Sequence, residues 1–203
     1  MNQETTEYYA LLANNSVKQS KARHAVFYFE RLATRRALTA DETIHYSQAL
    51  RKSNQTEKAV AMMTPLAEGK TVSGKILSEY GYALLANNEI EKALLIAGHM
   101  LQRPDLKADR ATALHLSGLA KDALKDFKGA EKDYREALTL RPDDNAAVLN
   151  NLGLNLAAQA LFEQSLLHLK QALASAQNNP DISAEIMSNI KTVEKLRSLQ
   201  NQS

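Results

Sequence analysis

The stretch Gly69-Lys70-Thr71-Val72-Ser73-Gly74-Lys75 comes nearest to a reaction centre in this sequence. It fits the first part of a phosphate-binding loop, GxxxxGK, in which backbone N–H groups cradle phosphates and the Lys reaches them. The next residue is Ile76, where Ser or Thr must hold the metal, and no strand pattern precedes the loop. Nucleotide chemistry is therefore not expected there. His24, His45, His99, His115 and His168 are scattered. None forms a His-x3-His pair or a close His/carboxylate cluster with metal-ligand spacing. The absence of cysteine excludes disulfides and thiol catalysis. No triad, nucleophile elbow or carboxylate pair stands out. The expectation is a chain that is not an enzyme, with no cofactor and no metal.

Charge narrows the partner classes. The net charge over 203 residues is +2, which gives no drive toward nucleic acid or an anionic membrane. Lys18, Lys21, Arg23, Arg31, Arg35 and Arg36 make the first segment basic. Read plainly, this is a solvated helical face with Glu30, Asp41 and Glu42 nearby as counter-charges. Read functionally, it is a patch for an acidic partner. No apolar run reaches the ~18 residues of a membrane helix, and no signal peptide opens the chain. The apolar share of 44% is enough for a sizeable core.

What positions these residues is an internal repeat. From Ala111, Gly118 is position 8, Ala130 position 20, Tyr134 position 24, Ala137 position 27 and Pro142 position 32. A second copy from Ala146 places Gly153, Ser165, Leu169 and Ala172 in the same slots, with Gln177 where Pro142 stood. Its second helix is expected to run slightly long, because Pro180 comes three residues late. Starts at 6, 40 and 74 put Ala13, Ser47 and Gly81 at position 8, and Ala25, Ala59 and Ala93 at position 20. The physical reason is packing. Two antiparallel helices approach closely only where one presents little or no side chain. Tyr134 fills the gap beside Gly118 and Ala130, and Pro142 stops the second helix. Tyr28, Tyr46, Tyr80 and Tyr134 stand at core or near-core spacing.

The breaks within helix pairs fall at Gln19-Ser20, Ser53-Asn54, Asn87-Asn88 and Lys125-Asp126. Loops follow at 69–74 and 103–105, and the extra residues of the longest repeat spacing are expected either in the second loop or as a lengthening of the helix that follows it. Asp181 to Leu199 reads as one more helix, with Ile182, Ile186, Ile190, Val193 and Leu196 on one face.

This grammar resembles the tetratricopeptide repeat, a helix–turn–helix unit of about 34 residues. The resemblance covers residues 6–179. It implies an all-α, right-handed α-solenoid of about five helix pairs plus a C-terminal capping helix. The segments are a flexible N-terminus at 1–5, repeats at 6–179, the capping helix at 180–200 and a tail at 201–203. In this family the first helix of each pair lines a concave groove. The resemblance therefore implies a partner-binding surface made of Ser78, Tyr82, Leu85, His115, Leu119, Asp122, Asn150, Asn151 and Leu154. Asn14, Asp41, Gln48 and Arg51 make the corresponding surface of the first two repeats more polar. Some members clamp a terminal carboxylate with Lys, Asn and Arg. Asn14 is present here, but the matching Lys and Arg set is not, which argues against an acidic C-terminal tail as ligand.

The segment YREALTLRPDDNAAVLNNLGLNLAAQ, residues 134–159, is also similar to the tetratricopeptide proteins of tight-adherence (Flp-type) pilus assembly. Members are typically envelope lipoproteins. The leading reading is a non-catalytic scaffold that binds a protein helix or peptide in its groove during assembly of a bacterial pilus or secretion system. Two others stay open: a soluble chaperone for an exported subunit, and the interaction domain of a larger enzyme or regulator. The pilus reading implies the periplasmic side of the envelope and a trimmed N-terminus; otherwise the chain is expected in the cytoplasm. Oligomeric state is left open.

Overall fold

The computed structural model describes residues 3–69, 71–141 and 145–200. Lys70, Pro142 and the tail at 201–203, all invoked above, lie outside them. The described residues are all-α, in eleven α-helices and one short 3-10 helix. The chain forms two compact units, Met1–Ile96 and Ala97–Ser203.

The first unit holds α1 (Gln3–Lys18), α2 (Ala22–Ala33), α3 (Ala40–Lys52), α4 (Thr56–Ala67) and α5 (Gly74–Ala86); α6 (Ile90–Gln102) begins in it. Each helix packs on its successor from α1 to α5, and α1 and α5 also touch α3. The second unit holds the 3-10 helix (Pro104–Asp109), α7 (Arg110–Ala123), α8 (Phe127–Leu140), α9 (Ala146–Ala158), α10 (Phe162–Ser175) and α11 (Pro180–Gln200). Again neighbours pair in order, and α7 and α11 also touch α9.

The small-residue slots are where the helices meet. Ala13, Ala25 and Phe29 are fully buried in the first pair, and Ser47, Ala59 and Met63 in the second. Within the second unit a methyl group added at Gly118 would lie 2.8 Å from Tyr134 Cδ1. One at Gly153 would lie 2.6 Å from Leu169 Cγ. Ser165 Oγ donates to the Gly153 carbonyl at 2.6 Å, so even the polar member of this slot is satisfied inside the core. Each enclosed Phe, Leu or Met is worth about 1.5–3 kcal/mol relative to exposure. Tyr46 and Tyr134 are core residues, and Tyr28 and Tyr80 are half-buried.

The hairpin turns share a feature beyond the break residues. Ser20, Asn54, Asn88, Lys125 and Ala160 all have left-handed backbone, with φ of 55, 63, 61, 63 and 59°. All five stand at position 15 of their repeat. The following N–H reaches back across the turn in each case, as in Gln55 N to Leu50 O at 2.8 Å and Leu161 N to Leu156 O at 2.9 Å. This arrangement satisfies carbonyls that the end of a helix leaves open.

Several details differ from the sequence expectations. α1 already begins at Gln3, so residues 3–5 are helical rather than a flexible arm; Glu4 in the first turn favours this through the helix dipole. The extra residues of the longest spacing wind into the 3-10 helix. α10 is 14 residues long, the same as α8, so the late Pro180 does not lengthen it. α11 caps with its middle only. Ile186 packs with Leu149, Ala172 and Ala176, and Val193 with Leu166 and Leu169. Ile182 and Leu196 remain 37% and 44% exposed, although their neighbours Ser183 and Arg197 reach the Ala176 carbonyl and Glu163.

Candidate protein-binding face

The predicted groove residues fall in both units. In the first unit, α3 and α5 enclose a cleft of about 340 Å³. Ser78 and Tyr82 line it, together with Asp41, His45, Gln48 and Lys75. Leu85 is half-buried on α5 and does not line the cleft. At the cleft wall, Glu79 is 3% exposed and accepts from Ser47 Oγ at 2.7 Å and from Arg51 Nε and Nη2 at 2.9 and 3.0 Å. The Arg51 guanidinium also lies 5.6 Å from the Tyr82 ring centroid. Arg51 is thus committed to a carboxylate inside the fold. The turn that resembled a phosphate loop has another use here: Ser73 caps α5 by accepting from Ile76 N.

In the second unit the face is built on α7 and α9. His115, Leu119 and Asp122 follow one another at one-turn spacing on α7, as Asn150 or Asn151 and Leu154 do on α9. Side-chain amides form a ladder across three helices. Asn189 Nδ2 of α11 donates to Asn150 Oδ1 at 2.9 Å, Asn150 Nδ2 to Asn151 Oδ1 at 3.5 Å, and Asn151 Nδ2 to His115 Nε2 at 2.8 Å. An amide nitrogen can only donate, so Nε2 is the bare acceptor and the ring hydrogen sits on Nδ1. Asn150 is buried by this ladder rather than turned outward. Asp122 is likewise internal in its bonding. It accepts from Tyr134 Oη at 2.8 Å and from Asn155, whose amide also donates to the Phe127 carbonyl at 2.9 Å. The two cross-helix pairs, His115–Asn151 and Asp122–Asn155, bracket Leu119 and Leu154. Leu119 is half-buried and Leu154 is 38% exposed.

Electrostatics follow from this packing. Burial holds the His115 pKa down at about 4, since a charged imidazolium would lose its water. Burial raises the Asp122 carboxyl, against the hydrogen bonds from Asn155 and Tyr134. An unfolded His titrates near 6.5, so below that pH the unfolded chain takes up a proton that the folded chain refuses. The stability tied to neutral His115 is therefore full above about pH 6.5 and is lost as pH falls toward 4. His168, also shifted down by burial, adds to the same slope. Glu42, held at about 2 chiefly by Arg36, contributes stability that is full above the ordinary glutamate range and is lost only as pH falls below it toward 2. Urea midpoints measured at pH 7.5 and 5 should fall with acid, and His115→Gln should reduce that fall. An equal fall in the variant would show that His115 is not the group responsible.

The sequence missed the buried partners. Ser117 Oγ and Lys121 Nζ both donate to Asp133 Oδ2, at 2.6 and 2.7 Å, inside the α7–α8 pair. Its available signal was a carboxylate on the helix face that also carries Ala130, Tyr134 and Ala137. The five histidines sit on five different helices, α2, α3, α6, α7 and α10. Among the described residues, no helix is long and apolar enough to cross a membrane.

No protein-family model and no curated protein sequence matches this chain. Solved structures do match in fold. A thermophilic TPR protein of Thermus thermophilus superposes with a TM-score of 0.75 at 15% identity, over 90% of this chain and 97% of that one. The pilF protein of Pseudomonas aeruginosa gives a TM-score of 0.64 at 14% identity, over 98% and 97% of the two chains. A MamA fragment from Desulfovibrio magneticus gives 0.58 at 15% identity, over 89% and 99%. At these identities the likeness carries the fold alone: helices packed in successive pairs, as in the tetratricopeptide solenoid.

Proposed function

We propose that this chain is a non-catalytic protein-binding scaffold that takes a partner helix or peptide against the first helices of its repeats. Five repeats over residues 6–179 would form the binding body, and 180–200 its cap. The observation that carries the reading is the α7/α9 face. There Leu119 and the 38%-exposed Leu154 stand between two polar pairs that fix both helices. Such a strip suits the apolar side of a helix or an extended peptide. Apolar burial would contribute about 25 cal/mol per Å². Asn151 and His115 could hydrogen-bond a ligand backbone beside or in place of their bonds in the amide ladder. Leu119 and Leu154 are therefore assigned the affinity and the ladder the register. In the first unit the same reading gives Ser78 and Tyr82 a polar contact role at the α3/α5 cleft, with Leu85 beside them. The face is already ordered, so binding entails little loss of entropy on this side.

Within this reading we place the scaffold in assembly of a bacterial pilus or secretion system, on the resemblance of residues 134–159. The test is affinity capture from detergent-solubilised lysate of the source organism, with wild type, Leu119→Glu and Leu154→Glu side by side. Recovery of a pilus or secretion subunit by wild type alone is expected. Helicity should hold, and melting temperatures should stay close to wild type, since an exposed substitution such as Leu154→Glu shifts stability by about 0.5 kcal/mol or less. A subunit recovered equally by all three proteins would move the site off this face. A large loss of stability in Leu119→Glu would make Leu119 a core residue.

A further inference from the structure

The first helix pair carries a surface that the α7/α9 reading does not use. Tyr8 and Leu11 stand one turn apart on α1, 58% and 57% exposed, and Phe27 on α2 is 48% exposed. The rings are continuous. Tyr8 meets Tyr9 at 6.4 Å between centroids, Tyr9 meets Tyr28 at 6.3 Å, and Phe27 meets Tyr28 edge-on at 5.3 Å. Two guanidiniums lie over this sheet of rings: Arg31 at 5.1 Å from the Phe27 centroid and Arg35 at 4.4 Å from that of Tyr9. Arg23 extends the stripe one turn before Phe27.

Charge on this surface is unbalanced. Residues 1–36 hold six Lys and Arg against three Glu, a larger excess than the +2 of the whole chain. Glu30 faces Lys58 at 3.8 Å, and Arg36 is engaged by Glu42 at 2.6 Å. Arg35 also donates to the Arg31 carbonyl at 2.7 Å, which fixes its plane.

We propose that the Tyr8–Leu11–Phe27 face of the first helix pair, with Arg23, Arg31 and Arg35, docks an acidic peptide segment that alternates carboxylates with apolar side chains. The guanidiniums lie over ring faces. Arg35 spends Nη1 on the Arg31 carbonyl and the Thr34 hydroxyl, and a guanidinium has five N–H donors, enough to receive a carboxylate as well. Cation–π contact orders them before the partner arrives. Tyr8, Leu11 and Phe27 supply the apolar floor between the cations. Two other macromolecular occupants fit less well. Base stacking competes here with arginine, which already lies over one face each of Phe27 and Tyr9. Insertion into a bilayer needs a broad apolar surface, and here Arg31 and Arg35 stand among the apolar side chains.

The test is fluorescence anisotropy of a short labelled synthetic peptide alternating Asp or Glu with Leu, titrated with the full chain. Saturable binding that weakens with added salt is expected. Arg31→Glu and Phe27→Ala should each lower affinity about tenfold or more. Leu154→Glu should leave it unchanged, which separates this surface from the α7/α9 face. Circular dichroism checks that both variants keep their helicity; Arg31→Glu, fully on the surface, keeps the test valid should Phe27→Ala lose it. No peptide binding, or binding indifferent to Arg31→Glu, overturns the proposal. So does tighter binding of an oligothymidylate or of phosphatidylglycerol–phosphatidylcholine vesicles through the same residues. Loss of a dimer on Arg31→Glu in light scattering, without peptide binding, would assign the face to a second copy and equally overturn it.

Discussion

Gly118→Leu should destabilise the second unit by about 3 kcal/mol or more, the upper end of the cost of overpacking a core. The first added carbon already overlaps the ring of Tyr134, at 2.8 Å from Cδ1 and 2.9 Å from Cζ. Tyr134 is fully buried, and its hydroxyl is tied to Asp122 at 2.8 Å. The ring can yield only by breaking that bond or by separating α7 from α8. Gly118→Ala should therefore also lose stability, although alanine is the better helix former by about 1 kcal/mol. Gly98→Ala in α6 is the control. A methyl group there meets nothing within 4 Å, so the same exchange should gain about 0.5–1 kcal/mol. Urea titrations followed by circular dichroism read all three. A Gly118→Ala protein as stable as wild type would mean that the two helices do not touch at this slot, and the repeat phase would fail with it.

Gly118 also shows why so much of the fold could be read from the chain. A close helix crossing tolerates few residue types, so Gly118 with Ala130, and Gly153 with Ser165, leave a mark that recurs with the repeat. The turns left a weaker one. Position 15 needs left-handed backbone in every copy, yet only Asn54 and Asn88 share a residue type there, beside Ser20, Lys125 and Ala160. Geometry there is imposed by the two helices rather than by the residue between them. The candidate face was legible as a set of positions but not as a set of orientations. His115, Leu119, Asn151 and Leu154 follow from the resemblance to the tetratricopeptide repeat, which assigns positions of the first helix to the groove. The inward turn of Asn150 depends on Asn189, a residue 39 positions away on the cap. Ile182 and Leu196 share a periodic face with Ile186 and Val193. Whether each position of that face is covered depends on which side chains the preceding helices set against it, which periodicity does not encode.

The second large effect is expected at Arg51→Met. Glu79 is 3% exposed and relies on Arg51 for two of its three hydrogen bonds. Removing the guanidinium leaves a carboxylate enclosed with only the Ser47 hydroxyl, and breaking a buried pair from one side costs about 3–5 kcal/mol. The opposite deletion should be milder. Arg51 keeps 24% of its side chain in solvent, so without a partner in Glu79→Leu it can turn toward water. Replacing both, as Arg51→Met with Glu79→Leu, should recover most of the loss, because an apolar pair of similar volume removes the cost of desolvating either charge. Denaturant midpoints for the three proteins form a double-mutant cycle. Additive losses would mean that the two side chains are solvated separately and that the pair does not join α3 to α5. A recovered double variant would instead assign Arg51 to holding the cleft wall beside Tyr82.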